Sequence, residues 1–263
     1  MIQINTEKCT GCKACEQDCP GRAIKVVDGK AQSLKKCILC GHCVAICPKA
    51  AVSIPEYDMA DVEEYDPKTF HLDPSTYLHA VKFRRSIRNF TDEPISREKL
   101  ARILDVGRYT ATGMNRQDCR FILVQERLEE WKQLVWQEMP HVLEALQHTD
   151  PSWHFLFSRF YERYQKDPKN DTLFFNCTSF LVIAADDPLG GGLAASNIEN
   201  MTVAEGGGAL YSGYMMRMVS ESTTLQEWLG IDKKQIACCM LLGYPRVTYR
   251  RTAPRRAGDI LWK

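Results

Sequence analysis

Eight of the twelve cysteines in this 263-residue chain fall within the first fifty residues. They form two runs of one spacing, C-x2-C-x2-C-x3-C-P: Cys9, Cys12, Cys15, Cys19 and Pro20, then Cys37, Cys40, Cys43, Cys47 and Pro48. Residues beyond the cysteines repeat too, since RAIKV at 22–26 matches AAVSI at 50–54 with the same offset of 28 that separates Cys9 from Cys37. The segment is an internal duplication. Three thiolates spaced by two residues can wrap an iron–sulfur cubane along a tight turn, and the fourth faces the other half. Zinc sites use two separated C-x2-C pairs and need neither a third evenly spaced cysteine nor a closing proline. A secreted disulfide scaffold would carry an export signal, and MIQINTEKCTGC has no basic start, apolar stretch or cleavage site. Iron–sulfur chemistry is therefore the reading.

The spacing of these runs closely resembles bacterial-type ferredoxins that carry two 4Fe-4S clusters. That resemblance implies crossed ligation, in which the last cysteine of each run serves the other cluster. One cluster then takes Cys9, Cys12, Cys15 and Cys47, and the other Cys37, Cys40, Cys43 and Cys19. His42, inside the second run, tunes or shields a cluster rather than binding iron, and the six histidines show no metal-ligand spacing.

Two basic clusters come next: FRRSIRNF at 83–90 and YRRTAPRRAGD at 249–259. A formal net charge of +1 gives no basic excess for nucleic acid. Arginine forks bind phosphate oxygens bidentately, and a guanidinium beside a flavin stabilises negative charge on the reduced ring. RRSIRNF, then ATGMNRQDCRFILV, NIENMTVAEGGGALYSGY, LLGYP and PRR occur in the order and spacing of the FMN-dependent nitroreductase family. The resemblance covers Tyr77 to Lys263. It implies that Arg84, Ser86 and Arg88 contact FMN, with Arg85 on the phosphate. It further implies that Asn115 hydrogen-bonds the flavin across a dimer interface, that Ser212 and Gly213 face the ring, and that Arg255 and Arg256 hold the phosphate. An intimate homodimer is expected with it. The chain departs from the family pattern at Ala111–Cys119 and at Gly208–Ser212, so substrate does not transfer with the family name.

The elements that must position these residues read as α+β. Residues 1–56 form a small ferredoxin-like domain, the acidic, Asp-Pro-rich stretch 57–76 a linker, and 77–263 a nitroreductase-like sandwich. Helical spacing with Ser96 as cap predicts a helix from about 96, and RLEEWKQLVWQEMPHVLEAL predicts another, interrupted near Pro140. Residues 120–125 and 179–185 read as strands, 235–245 as a central strand ending in a turn, and 195–219 as one long buried helix broken at Gly206–Gly208. Gly190, Gly192 and Ala195 match G-x-G-x-x-A formally, but they stand too far past a strand end for a dinucleotide fingerprint. Aromatics at 153–164 and Cys119, Cys177, Cys238 and Cys239 read as packing residues.

The expected activity is a cytoplasmic oxidoreductase that passes electrons from two 4Fe-4S clusters to FMN and on to a small organic acceptor. The donor would be a protein or NAD(P)H, and Tyr211 is a candidate proton source. The alternative is a non-catalytic electron carrier or redox sensor acting on protein partners. No apolar run reaches the eighteen or so residues of a membrane span.

Overall fold

A computed structural model describes residues 1–34, 36–231 and 235–263. The chain forms two compact units: Met1–Leu72 with Thr112–Arg116, and Asp73–Ala111 with Gln117–Lys263.

In the first unit, β1 (Gln3–Ile4) is followed by α1 (Ala14–Gln17), the hairpin β2 (Ile24–Val27) and β3 (Lys30–Ser33), α2 (His42–Ala45) and β4 (Val52–Ser53). β1 pairs with β4 and β2 with β3, both antiparallel. The duplication is written in the backbone: Gly11 and Leu39, Lys13 and Gly41, and Arg22 and Ala50 all have positive φ, each pair 28 residues apart (39 − 11 = 41 − 13 = 50 − 22). Lys13 and Gly41 open α1 and α2 as left-handed N-caps. The apolar core is small, built from Ile2, Ile24, Ala31, Ala51, Val52 and Ile54 together with Cys9, Cys15 and Cys43. Past Ile54 the chain carries a short 3-10 turn (Met59–Asp61) and α3 (Pro67–Phe70), capped by Asp58 and Asp66.

The second unit is a three-layer sandwich around an antiparallel sheet. In chain order it holds α4 (Pro74–Phe83), α5 (Arg97–Arg108), β5 (Arg120–Val124), α6 (Leu128–Thr149), α7 (Pro151–Lys166), β6 (Ser179–Ala185), α8 (Pro188–Ala204), β7 (Gly208–Tyr211), α9 (Gly213–Glu221), α10 (Thr223–Leu229) and β8 (Gln235–Gly243). The sheet order is β5-β6-β8-β7. All seven residues of β6 are buried, and their alternation splits the core in two. Leu181 and Ile183 join Met240 and Leu242 under α5 and α8. Phe180 and Val182 join Cys239 and Leu241 under α6, α7, α9 and α10. Trp131 of α6 stacks on Phe180 with ring centroids 5.2 Å apart.

Two sequence expectations need correction. α6 runs unbroken through Pro140, because the stripe Leu128, Trp131, Val135, Met139, Val142 and Leu146 is buried along its whole length. Burial of six large side chains outweighs the roughly 3 kcal/mol that an interior proline costs. Residues 195–219 are not a helix resuming after a glycine break. α8 closes with Gly207 N–H donating to Thr202 O at 2.8 Å, and Gly208–Tyr211 then becomes an edge strand. A Cβ at Gly208 would stand 2.4 Å from Ile87 Cγ1, so only glycine lets segment 84–88 lie against β7. Ser86 bridges Ala209 in parallel, and Ile87 N–H donates to Ala209 O at 3.0 Å.

In the first unit, Gly11 has φ 66, and a Cβ there would fall 2.2 Å from Gly29 O. Gly11→Ala is expected to destabilise that unit by about 1–3 kcal/mol, read as a lowered chelator or urea midpoint for loss of visible absorbance. An unchanged midpoint would contradict the close approach.

Candidate functional site

Both cysteine runs contribute to one cavity in the first unit. Cys9, Cys12 and Cys15 line it from the first run and Cys47 from the second, with Gly11 and Pro48 beside them. This is the crossed set that the ferredoxin resemblance implies. Among the described residues no three His, Cys, Asp or Glu side chains converge as ligands of a single ion do. A cubane takes each thiolate at a different corner. Cys37 and Cys40 stand close enough to Cys43 to oppose its ionisation.

Two of the thiols, Cys15 and Cys43, sit in environments that disfavour the free thiolate. Burial, with Cys12, Cys47 and Cys9 nearby, pushes Cys15 up. Burial first, then Cys37 and Cys40, pushes Cys43 to about 11. Cys9 is lowered, because the amides of Ala31 and Gly11 hydrogen-bond its sulfur. Repeat-related amides serve the fourth cysteines: Ala23 N–H donates to Cys19 Sγ at 3.2 Å and Ala51 N–H to Cys47 Sγ at 3.3 Å. Such amide–sulfur bonds stabilise ligated thiolate and raise cluster potential. His42 Nδ1 lies 3.2 Å from Asp18 Oδ2 at the surface. Asn115 also belongs to this unit, and its Nδ2 donates to Ile38 O at 3.1 Å and Leu39 O at 2.9 Å.

In the second unit the pairing of 84–88 with β7 brings Arg84, Arg85 and Ser86 to the edge of the sheet, and Ser212 and Gly213 follow directly at the C-terminal end of β7. Arg84 caps the C-terminus of α4, and its Nη1 donates to Glu199 Oε1 at 2.9 Å. Glu199 is 3% exposed on α8 and also accepts a hydrogen bond from the Tyr211 hydroxyl. Burial raises the Glu199 carboxyl, and Arg84 and Tyr211 offset part of that rise. Burial and the Glu199 charge raise Tyr211, and the same two causes bring the Cys238 thiol to about 12.

Arg85 Nη1 donates to Lys82 O at 2.9 Å and to Arg84 O at 2.5 Å, while its Nη2 is buried with no hydrogen-bond partner among the described residues. A buried guanidinium nitrogen left unpaired is costly, and an anion at that edge would satisfy it. Ser212 is the N-cap of α9: its Oγ accepts from Met215 N–H at 3.2 Å, and its own N–H donates to Cys239 O at 2.8 Å. Gly213 begins that helix. Arg88 is exposed, as are Arg255 and Arg256 in a C-terminal stretch without regular structure. Arg255 Nη1 reaches only Pro254 O, at 3.4 Å.

Glu199 was not singled out from sequence, because an acid among Ser196, Asn197 and Asn200 gives no local sign of burial. Gly190, Gly192 and Ala195 all lie within α8 and form no phosphate turn. Phe157 and Phe160 are core residues, with Trp153, Tyr161 and Tyr164 packed against them. Cys177, Cys238 and Cys239 are buried, and Cys119 is half-buried.

Comparison with known proteins places both halves. Residues 81–244 match the family model described as nitroreductase family, and residues 1–63 match that of a 4Fe-4S dicluster domain. An antiparallel sheet sandwiched by helices, preceded by a doubled thiolate site, defines a redox protein in both parts. The chain belongs to the nitroreductase family. Among solved structures it resembles a nitroreductase with bound FMN from Desulfitobacterium hafniense at 22% identity and TM-score 0.52, covering 68% of this chain and 93% of that one. It also resembles a nitroreductase with bound FMN from Bacteroides fragilis at 17% and TM-score 0.55, covering 70% and 97%. An FMN-dependent nitroreductase from Clostridium difficile R20291 matches at 18% and TM-score 0.53, covering 72% and 100%. These likenesses establish the α+β fold. The N-terminal part is 49% identical over 47 residues to one component of an ion-translocating oxidoreductase complex from Methanosarcina acetivorans, a match that spans 18% of either chain.

The Glu199 geometry carries a pH signature. Its raised carboxyl means that the folded protein holds this proton more tightly than the unfolded chain. The stability it contributes is full below its ordinary value of 4.5 and falls as pH rises through the raised folded pKa. All five tryptophans lie in the second unit, so their fluorescence reports that unit alone. Glu199→Gln is expected to flatten the decline in urea midpoint from about pH 4.5 toward neutral; identical profiles for variant and wild type would contradict it.

Proposed function

We propose that this protein is an FMN-dependent oxidoreductase fed by its own pair of 4Fe-4S clusters and acting on a small organic acceptor. The observation that carries the reading is the joining, on one chain, of a complete doubled thiolate set to a nitroreductase sheet whose edge holds a guanidinium with one buried nitrogen unpartnered among the described residues. When bound, the clusters supply single-electron transfer, and the flavin supplies the junction at which single electrons become a pair for the acceptor. Residues 1–56 form the entry domain, 57–76 the connection and 77–263 the flavin domain. Electrons come from a protein donor or NAD(P)H.

The residues divide the work as follows. Cys9, Cys12, Cys15 and Cys47 hold one cluster, and Cys37, Cys40, Cys43 and Cys19 the other. Arg85 offers Nη2 to the cofactor's anionic group, and Ser86 with the Ser212–Gly213 backbone at the start of α9 lines the same edge. Arg88, Arg255 and Arg256 are exposed cations available for phosphate. Arg84 is engaged by Glu199, and the two fix the start of segment 84–88. Tyr211 and Glu199 together hold protons next to that edge, and a two-electron reduction of an organic acceptor consumes two protons.

A homodimer fits the surface. Every residue of α4 is exposed, including Tyr77, Leu78, Val81 and Phe83, and so are Ile260, Leu261 and Trp262 of the tail. So much apolar area without cover in its own chain supports a partner copy. Among the described residues no helix is long and apolar enough to cross a membrane, and the reading keeps the protein in the cytoplasm.

Anaerobically purified protein is expected to carry about eight irons and one FMN per chain. Arg85→Ala should weaken FMN retention about tenfold or more, the scale of a charged hydrogen bond, with iron unchanged. Eight irons without any flavin would end the flavin half of the proposal, and flavin without iron the cluster half.

A further inference from the structure

The two halves of the duplication are not equivalent where the second and third residues of each run turn. In the first run the residue before Cys12 is Gly11, at φ 66, where glycine is unstrained. Its counterpart before Cys40 is Leu39, at φ 54, a left-handed conformation that costs a side-chain-bearing residue about 1–2 kcal/mol. Something must hold Leu39 there. Its own N–H donates to Cys37 Sγ at 3.3 Å, and on the other side the Asn115 amide donates to Ile38 O at 3.1 Å and Leu39 O at 2.9 Å. Both acceptors are carbonyls, so it is the amide nitrogen, with its two hydrogens, that faces them. Asn115 is itself at φ 54, after Met114 at φ 55 and before Gln117 at φ 49. A strained segment concentrated this way is held by its surroundings and marks a position with a task.

We propose that Asn115 is a positioning residue for the second cluster: its side-chain amide braces the Cys37–Cys40 turn and raises the reduction potential of the cluster held by Cys37, Cys40, Cys43 and Cys19. This rests on the iron–sulfur reading above. The physical route is direct. The amide draws electron density from two carbonyls that lie between two ligands, and it fixes the geometry in which Leu39 N–H points at Cys37 sulfur. Both effects favour the reduced, more negative cluster, because hydrogen bonding at and around the sulfurs offsets its added charge. The first run has glycine at the turn and needs no brace, so the two clusters differ by design. The flavin contact implied for Asn115 by family resemblance is a competing use of the same two hydrogens.

The test is a redox titration of anaerobically purified full-length holoprotein, followed by electron paramagnetic resonance, for wild type, Asn115→Ala and Asn115→Asp. In Asn115→Ala one cluster is expected to become harder to reduce by up to tenfold in its equilibrium constant, about 59 mV for one electron, while the other cluster and the FMN content stay unchanged. Asn115→Asp, which sets a negative oxygen against the two carbonyls, should shift the same cluster further in the same direction. If Asn115→Ala instead loses half its iron, adding Leu39→Gly should restore it, since glycine needs no brace. Unchanged potentials for both clusters would overturn the proposal, whether FMN is retained or lost; loss of FMN in that case would assign Asn115 to the flavin. Equal shifts or equal iron loss at both clusters would overturn it as well. Wild-type protein without iron would instead remove the iron–sulfur reading on which the proposal stands.

Discussion

Thiolates do not gather in a protein interior unless a cation holds them there. In the first unit Cys9, Cys12, Cys15 and Cys47 are drawn around one cavity, and burial, aided by neighbouring thiols, raises Cys15 and Cys43 above the ordinary thiol value. Ligation to iron reverses that preference, because a metal-bound thiol gives up its proton outright. Iron–thiolate bonds would supply much of the folding energy when the clusters are bound, since the apolar side chains here are few and mostly small. Ligand geometry, the left-handed turns before the short helices and the amides aimed at sulfur are therefore one construction.

The second unit is stable on different terms. Its sheet is covered on both faces, and the alternation along β6 and β8 divides the apolar residues cleanly between two helical layers. Among its described residues Glu199 is the charged side chain that is buried. At β7 the chain accepts segment 84–88 as a partner, and there the buried Glu199 carboxylate takes hydrogen bonds from the half-buried Arg84 and the hydroxyl of the exposed Tyr211, with the unpaired nitrogen of Arg85 in the same segment. Charged groups buried this way add little net stability. Their concentration at one edge of an otherwise apolar sandwich makes that edge the chemical part of the unit.

Much of this could be read from the residues. The cysteine spacing announced the duplication, and the backbone repeats it at the same offset. Short continuous apolar runs marked β5, β6 and β8, and Ser96 caps α5 as its position before Lys99 suggests. What stayed hidden depends on partners distant in the chain. β7 is a strand because β8 and segment 84–88 flank it, whereas locally its residues continue a helical composition. Pro140 reads as a break until the buried stripe on either side of it is seen to pack. The Arg84–Glu199 pair spans 115 residues, and the Asn115 contacts span 76 and 77, so no local pattern announces either.

The central claim is that electrons reach the flavin by way of the clusters. The most direct measurement is a rapid-mixing experiment on anaerobic holoprotein with a reduced low-potential ferredoxin as donor, following flavin absorbance in wild type and in Cys43→Ser. Flavin reduction slowed about tenfold or more in the variant at equal FMN content is the outcome that a cluster relay requires. Flavin reduced at the same rate in both proteins would contradict it, and the two units would then be redox neighbours without a shared path.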